Sequence, residues 1–191
     1  AIQHANGRDW WLYGFERTMK HPRFKAYRFF LSPDTVYFVD TVRLAFHPQG
    51  PIGGLSVVSY SCKTHLYLCN GNIQNYQGQS WKRNVSRYEI NRVTGEISLQ
   101  DDDLTPTPII NSNDNYATAA VALSASGRFL YALTKNMTIG RDEIFQLDLE
   151  AGTPADIRNS AILVGIYPYL NAFASIKLAP DQKIYLCGGK A

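Results

Sequence analysis

Leu123-Ser124-Ala125-Ser126-Gly127-Arg128-Phe129-Leu130-Tyr131 runs from an apolar residue through a small-residue turn and a basic residue into an aromatic-rich run. A glycine at 127 supplies positive φ without steric cost, so the stretch reads as a tight β-hairpin with the basic residue leaving the turn towards solvent. The same plan recurs in His4-Ala5-Asn6-Gly7-Arg8-Asp9-Trp10-Trp11-Leu12, in Ser59-Tyr60-Ser61-Cys62-Lys63-Thr64-His65-Leu66-Tyr67-Leu68, and in Leu178-Ala179-Pro180-Asp181-Gln182-Lys183-Ile184-Tyr185-Leu186. A second hairpin follows each of the first three. Arg23 to Leu31 turns at Ser32-Pro33-Asp34 into Val36 to Val39; Val85 to Ile90 turns at Asn91 to Gly95 into Glu96 to Leu99; Glu143 to Leu149 is followed by Ala161 to Val164.

Two hairpins make a four-stranded antiparallel unit, and a repeat of roughly 55 residues lies near the ~40–50 of propeller blades. The fold class is therefore all-β, a WD40-like β-propeller with about three and a half blades, at approximately residues 1–54, 55–117, 118–174 and an incomplete 175–191. Inner strands are expected near positions 2, 55, 118 and 175, with Ala117 to Leu123 as one of them, and no helix is expected. Half a blade exposes a strand edge, which predicts that the ring is completed by further chain beyond Ala191. Asp101-Asp102-Asp103-Leu104-Thr105-Pro106-Thr107-Pro108 reads as an exposed inter-blade loop. The polar segment Asn70 to Asn84 reads as a long loop within a blade, and Lys135 to Arg141 as its shorter counterpart.

Hydrophobic residues make up 45% of the 191 and charged residues 18%, a globular composition that leans towards β structure. Net charge is +3 and the basic residues are scattered, so nothing resembles a nucleic-acid-binding stripe. No apolar run approaches the ~20 residues of a membrane-spanning helix, and Ala1-Ile2-Gln3-His4 does not read as a signal peptide. Cys62, Cys69 and Cys187 form no CxxC pair; buried thiols are the plainer reading, a Cys62–Cys69 disulfide stays open, and so does the redox compartment.

From His4 to Trp11 the sequence resembles the propeller region of large secreted proteins of Bacteroidota. Those begin with a similar octet and continue through SPDG-type blade hairpins, whose counterparts here are Phe30-Leu31-Ser32-Pro33-Asp34, Leu123 to Tyr131 and Leu178 to Tyr185. Thr35 and Gln182 stand where the family has the turn glycine, and Ala125-Ser126 where it has Pro-Asp. Such proteins often end in a type IX secretion sorting domain, so the resemblance implies export across the outer membrane and display on the cell surface.

His4, Asn6, Arg8, Asp9 and Trp10 form the densest polar and aromatic cluster. His4, Asn6, Arg8 and Asp9 are candidates to bind a ligand in a central tunnel; structurally, Arg8 and Asp9 would pair in the hairpin while alternation sends Trp10 and Trp11 to opposite faces. Tyr76 and Trp81 in the long loop are candidates to anchor a partner or stack on a sugar ring. His21, His47 and His65 have no metal-ligand spacing, so no metal site is expected. Asp101-Asp102-Asp103 and Asn111 to Asn115 offer oxygens to calcium, yet lack the glycine and distal glutamate of a dedicated loop. Asn84-Val85-Ser86 and Asn136-Met137-Thr138 match a glycosylation pattern. No nucleophile elbow or phosphate loop appears, so no catalytic residue and no cofactor is assigned. The expected function is a non-catalytic module binding a protein, a glycan or another subunit of a surface assembly. A propeller-type hydrolase or lactonase is the alternative, and acids and histidines converging on the central channel would favour it.

Overall fold

The computed structural model describes residues 1–16, 24–44, 52–60, 63–70, 85–101, 103–110, 116–136, 138–168 and 175–187. They form three four-stranded antiparallel sheets and one two-stranded sheet, each in sequential order. The first holds β1 (Ile2–Gln3), β2 (Trp10–Glu16), β3 (Phe24–Ser32) and β4 (Thr35–Leu44). The second holds β5 (Ile52–Tyr60), β6 (Lys63–Asn70), β7 (Val85–Ile90) and β8 (Ile97–Asp101). After α1 (Thr107–Ile110), the third holds β9 (Tyr116–Leu123), β10 (Phe129–Asn136), β11 (Arg141–Asp148) and, beyond α2 (Pro154–Asn159), β12 (Ile162–Pro168). β13 (Ser175–Leu178) and β14 (Ile184–Cys187) complete the described chain. The inner strands β5, β9 and β13 are neighbours, so the sheets stand side by side as propeller blades, about three and a half of them.

The repeated turn is built alike in the first and third blades, and one residue shorter in the last. His4 N–H donates to Asp9 O and Gly7 N–H to His4 O; Ser124 N–H donates to Phe129 O and Gly127 N–H to Ser124 O. In the last blade Gln182 N–H donates to Ala179 O. A short polar side chain at the third position braces each turn: Asn6 Oδ1 accepts from Arg8 N–H, Ser126 Oγ from Arg128 N–H, and Asp181 Oδ1 from Lys183 N–H. Gly7 and Gly127 both have φ of +73°, and Gln182 holds the equivalent position at +64°. An L-residue there costs about 1–2 kcal/mol, partly offset by the greater freedom of unfolded glycine. Gln182→Gly should therefore raise stability by about 0.5–1 kcal/mol in urea denaturation, with no change in the denaturant slope. The turn Ser32-Pro33-Asp34-Thr35, closed by pairing of Ser32 with Thr35, has no positive φ, so it needs no glycine.

Two expectations are corrected. Helices do occur: α2 has a full capping box in which Thr153 Oγ1 accepts from Asp156 N–H while Thr153 N–H donates to Asp156 Oδ2. The Thr153 hydroxyl and backbone amide hold the Asp156 carboxyl below the usual range. The segment 103–106 is also not an exposed loop. Leu104, Thr105 and Pro106 are buried, and Leu104 N–H donates to Val85 O. Leu104 and Ile109 enter the core between the second and third blades, where Ile157 of α2 meets them. Arg158 Nη1 donating to Asp103 O and Thr107 Oγ1 donating to Asn159 Oδ1 tie the segment to α2.

Candidate functional site

The octet that stands out in the sequence lies on the junction between the first two blades. Strand alternation puts Trp11, Tyr13, Arg28 and Phe30 on the face of the first blade that meets the turn Asn91–Glu96 between β7 and β8. Trp11 is buried and its Nε1–H donates to Arg92 O at 3.0 Å. Its ring packs edge-on against Phe30 at 4.9 Å, with the Arg28 guanidinium 5.6 Å from its centroid. Arg28 grips Asp40 with two nitrogens at 2.9 and 2.6 Å and gives Nη1–H to Thr94 O. Tyr13 OH donates to Gly95 O at 2.7 Å. Burial pushes the Tyr13 hydroxyl above the ordinary phenol range, against a lowering by Arg28, so it remains a neutral donor.

His4 belongs to this junction. Its Nδ1 accepts from Asn6 N–H at 3.1 Å, which makes Nε2 the protonated nitrogen; Nε2 faces Val93 O at 3.0 Å. Ala5 N–H donates to Arg92 O, and Arg92 Nε–H donates back to Gln3 O. Asn6 and Asp9 bond within the turn, Asn6 Nδ2–H to Asp9 Oδ2 at 2.7 Å, in place of an Arg8–Asp9 pair. Arg8 is exposed, and Trp10, 43% exposed, points to the opposite face from Trp11.

The other candidates fall elsewhere. Tyr76 and Trp81, with His21, His47, Cys62, Asn84, Asp102 and Asn111 to Asn115, lie outside the described residues. In sequence, Tyr76 and Trp81 fall between β6 and β7. Asp101 pairs with Arg87 at 2.5 Å, and Asp103 Oδ1 accepts from Thr105 N–H, so these carboxylates are engaged within the protein. Cys69 is buried and forms no disulfide among the described residues. Asn136 is buried and its Oδ1 caps the following turn by accepting from Thr138 and Ile139 N–H.

Residues 137–140 join β10 to β11 as 71–84 join β6 to β7, and beside them lies a polar cluster that the sequence does not single out. Lys135 and Asp142 are directly opposed across β10 and β11, both buried, with Nζ 3.4 Å from each carboxylate oxygen. On the other face Arg141 Nε–H donates to the buried Glu143 at 2.6 Å, and Thr134 Oγ1 donates to Glu143 O. Thr118 Oγ1, opposite Thr134, is buried without a partner. Hydrophobic alternation hides this cluster, because charged residues on a strand normally signal the wet face.

Between the second and third blades a cleft of about 120 Å³ is lined by His65, Tyr67, Arg87, Leu123 and Glu150, well below the ~300 Å³ of an ordinary ligand pocket. No group of three metal-ligating side chains occurs among the described residues, and no helix there is long and apolar enough to cross a membrane.

No protein-family model matches the chain, and no curated protein matches it either. Among solved structures, it is similar to a Kuenenia stuttgartiensis hydrazine synthase (TM-score 0.48, 12% identity, 98% of this chain and 57% of that one). It is also similar to Porphyromonas gingivalis dipeptidyl peptidase 4 (TM-score 0.45, 10% identity, 96% of this chain). The chain thus spans 57% of the first and 35% of the second, and neither likeness bears on its chemistry.

Proposed function

We propose that the chain is a non-catalytic propeller module, displayed on the outer cell surface, that recognises a protein or glycan through the connections at one end of its blades. The composition of the inner strands carries this reading. β1, β5, β9 and β13 are the strands that would face a central channel, and their only ionisable groups are Tyr60, Tyr116 and Lys177. The octet's histidine, asparagine and aspartate are spent on the turn and on the contact with the second blade. The sequence puts Tyr76 and Trp81 in the long polar stretch between β6 and β7, and loop aromatics of this kind favour recognition. Export rests on the resemblance of the His4 to Trp11 octet to type IX secretion substrates.

A titration of the chain with soluble polysaccharides and outer-membrane proteins, read by intrinsic tryptophan fluorescence and calorimetry, tests this. Trp81→Ala and Tyr76→Ala should each weaken the bound partner at least ~tenfold without moving the melting temperature. Turnover of simple esters or lactones that scales with protein concentration and persists in Trp81→Ala and Tyr76→Ala would overturn it in favour of the hydrolase.

A further inference from the structure

The first two junctions between blades share one arrangement of side chains. Register sets Tyr13, Arg28 and Asp40 side by side across β2, β3 and β4, with Trp11 two residues before the tyrosine. It sets Tyr67, Arg87 and Asp101 side by side across β6, β7 and β8, with His65 two residues before the tyrosine. In each case the arginine pairs with the aspartate of the outer strand. The covering blades correspond as well. Arg92, whose carbonyl takes the Trp11 Nε1–H, is the second residue after β7, and Glu150 is the second residue after β11. His65 and Glu150 thus hold at the second junction the places of Trp11 and Arg92 at the first.

The two junctions differ in the bulk of the side chains at these places. An imidazole is smaller than an indole, and Glu89 is paired with His65 where Phe30 is paired with Trp11. The cleft between the second and third blades lies here: His65, Tyr67, Arg87 and Glu150 all line it, together with Leu123 and Leu149. Its volume of about 120 Å³ is too small for a drug-sized ligand but close to the ~150 Å³ that accepts one benzene ring. The arginines differ too. Arg28 lies over the Trp11 ring and gives Nη1–H to Thr94 O. Arg87 is bonded through Nε to Asp101 and makes no further hydrogen bond among the described residues.

We propose that this cleft binds a small planar aromatic molecule, of phenol to indole size, that carries an N–H or O–H group. The ring takes the place that the Trp11 side chain fills one junction earlier, so the first junction defines the shape and chemistry of the ligand. Arg87 covers the ring face as Arg28 covers Trp11, a contact that an aliphatic molecule cannot make. Tyr67, Leu123 and Leu149 enclose the apolar body of the ligand. Glu150, in the place of Arg92, accepts the N–H or O–H as Arg92 O accepts from Trp11.

Calorimetric titration of the wild-type chain with indole and phenol, beside cyclohexanol as a non-aromatic control, tests the assignment. Indole and phenol should bind with dissociation constants of about 1 mM or tighter, and cyclohexanol at least ~threefold more weakly. His65→Trp should fill the cleft, raise the melting temperature by about 2–4 °C and abolish indole binding. Arg87→Lys keeps a cation beside Asp101 but loses the planar guanidinium, so it should weaken indole binding at least ~threefold, and it decides the matter where His65→Trp does not fold. Absence of saturable binding of indole and phenol up to ~10 mM overturns the proposal, as does cyclohexanol binding as tightly as phenol. A folded His65→Trp protein, or an Arg87→Lys protein, that binds indole like wild type also overturns it, by showing that the ring sits elsewhere. None of these outcomes touches the role of Tyr76 and Trp81.

Discussion

Gly95→Ala should destabilise the protein by about 3–5 kcal/mol and lower its melting temperature by roughly 10 °C, an effect expected from very few glycine-to-alanine changes. Two costs coincide at this position. Gly95 has φ of +72°, where an added Cβ costs about 1–2 kcal/mol on its own. That Cβ would also lie 2.5–2.7 Å from three carbons of the Trp11 ring. The ring cannot yield cheaply, because its Nε1–H is held by Arg92 O and its faces are packed by Phe30 and Arg28. Moving it also pulls on Tyr13, whose hydroxyl bonds to Gly95 O. Gly7→Ala is the control: φ is +73° and nothing lies within 4 Å of the added carbon, so it should cost only about 1 kcal/mol. Urea denaturation of the two variants separates strain from clash. Equal losses at the two sites would mean that Trp11 does not anchor the second blade on the first.

The same contrast shows what the sequence reveals. Hairpins are local, so glycine placement, aromatic alternation and a repeat of two hairpins were enough to read blades, and Ala117 to Leu123 as an inner strand. Local patterns mislead or fall short in three places. Asp101 to Pro108 has the composition of a loop, yet Leu104 and Ile109 are drawn into the inter-blade core by α2. Pro154 to Asn159 is too short to show helical periodicity, and its evidence was the cap, Thr153 three residues before Asp156. The octet looked chemical because polar and aromatic residues crowd there. Its partners, Arg92 to Gly95, lie in another blade, and no local pattern could pair Trp11 with a turn some eighty residues on. Lys135 and Asp142 escaped notice for the related reason that burial of a charge is a property of the neighbouring blades.

That pair supports the other large effect. Asp142→Asn should cost about 3–5 kcal/mol, because it leaves the Lys135 ammonium buried without the carboxylate that faces it across the strands. The loss should be far greater than for the pair Arg128–Asp148, which joins the same two strands at their other end with the arginine side chain 49% exposed. Replacing both partners with apolar residues of similar volume, as in Lys135→Met with Asp142→Leu, should recover most of the stability, since neither buried charge then needs compensation. If the double variant is as unstable as Asp142→Asn, the buried pair is not what matters, and the polar lining around Thr118 and Glu143 is. If the double variant folds well, ligand titration tells a structural pair from a working one. Partner affinity unchanged from wild type assigns Lys135 and Asp142 to holding β10 against β11. A selective loss of affinity at full stability assigns them a part in recognition.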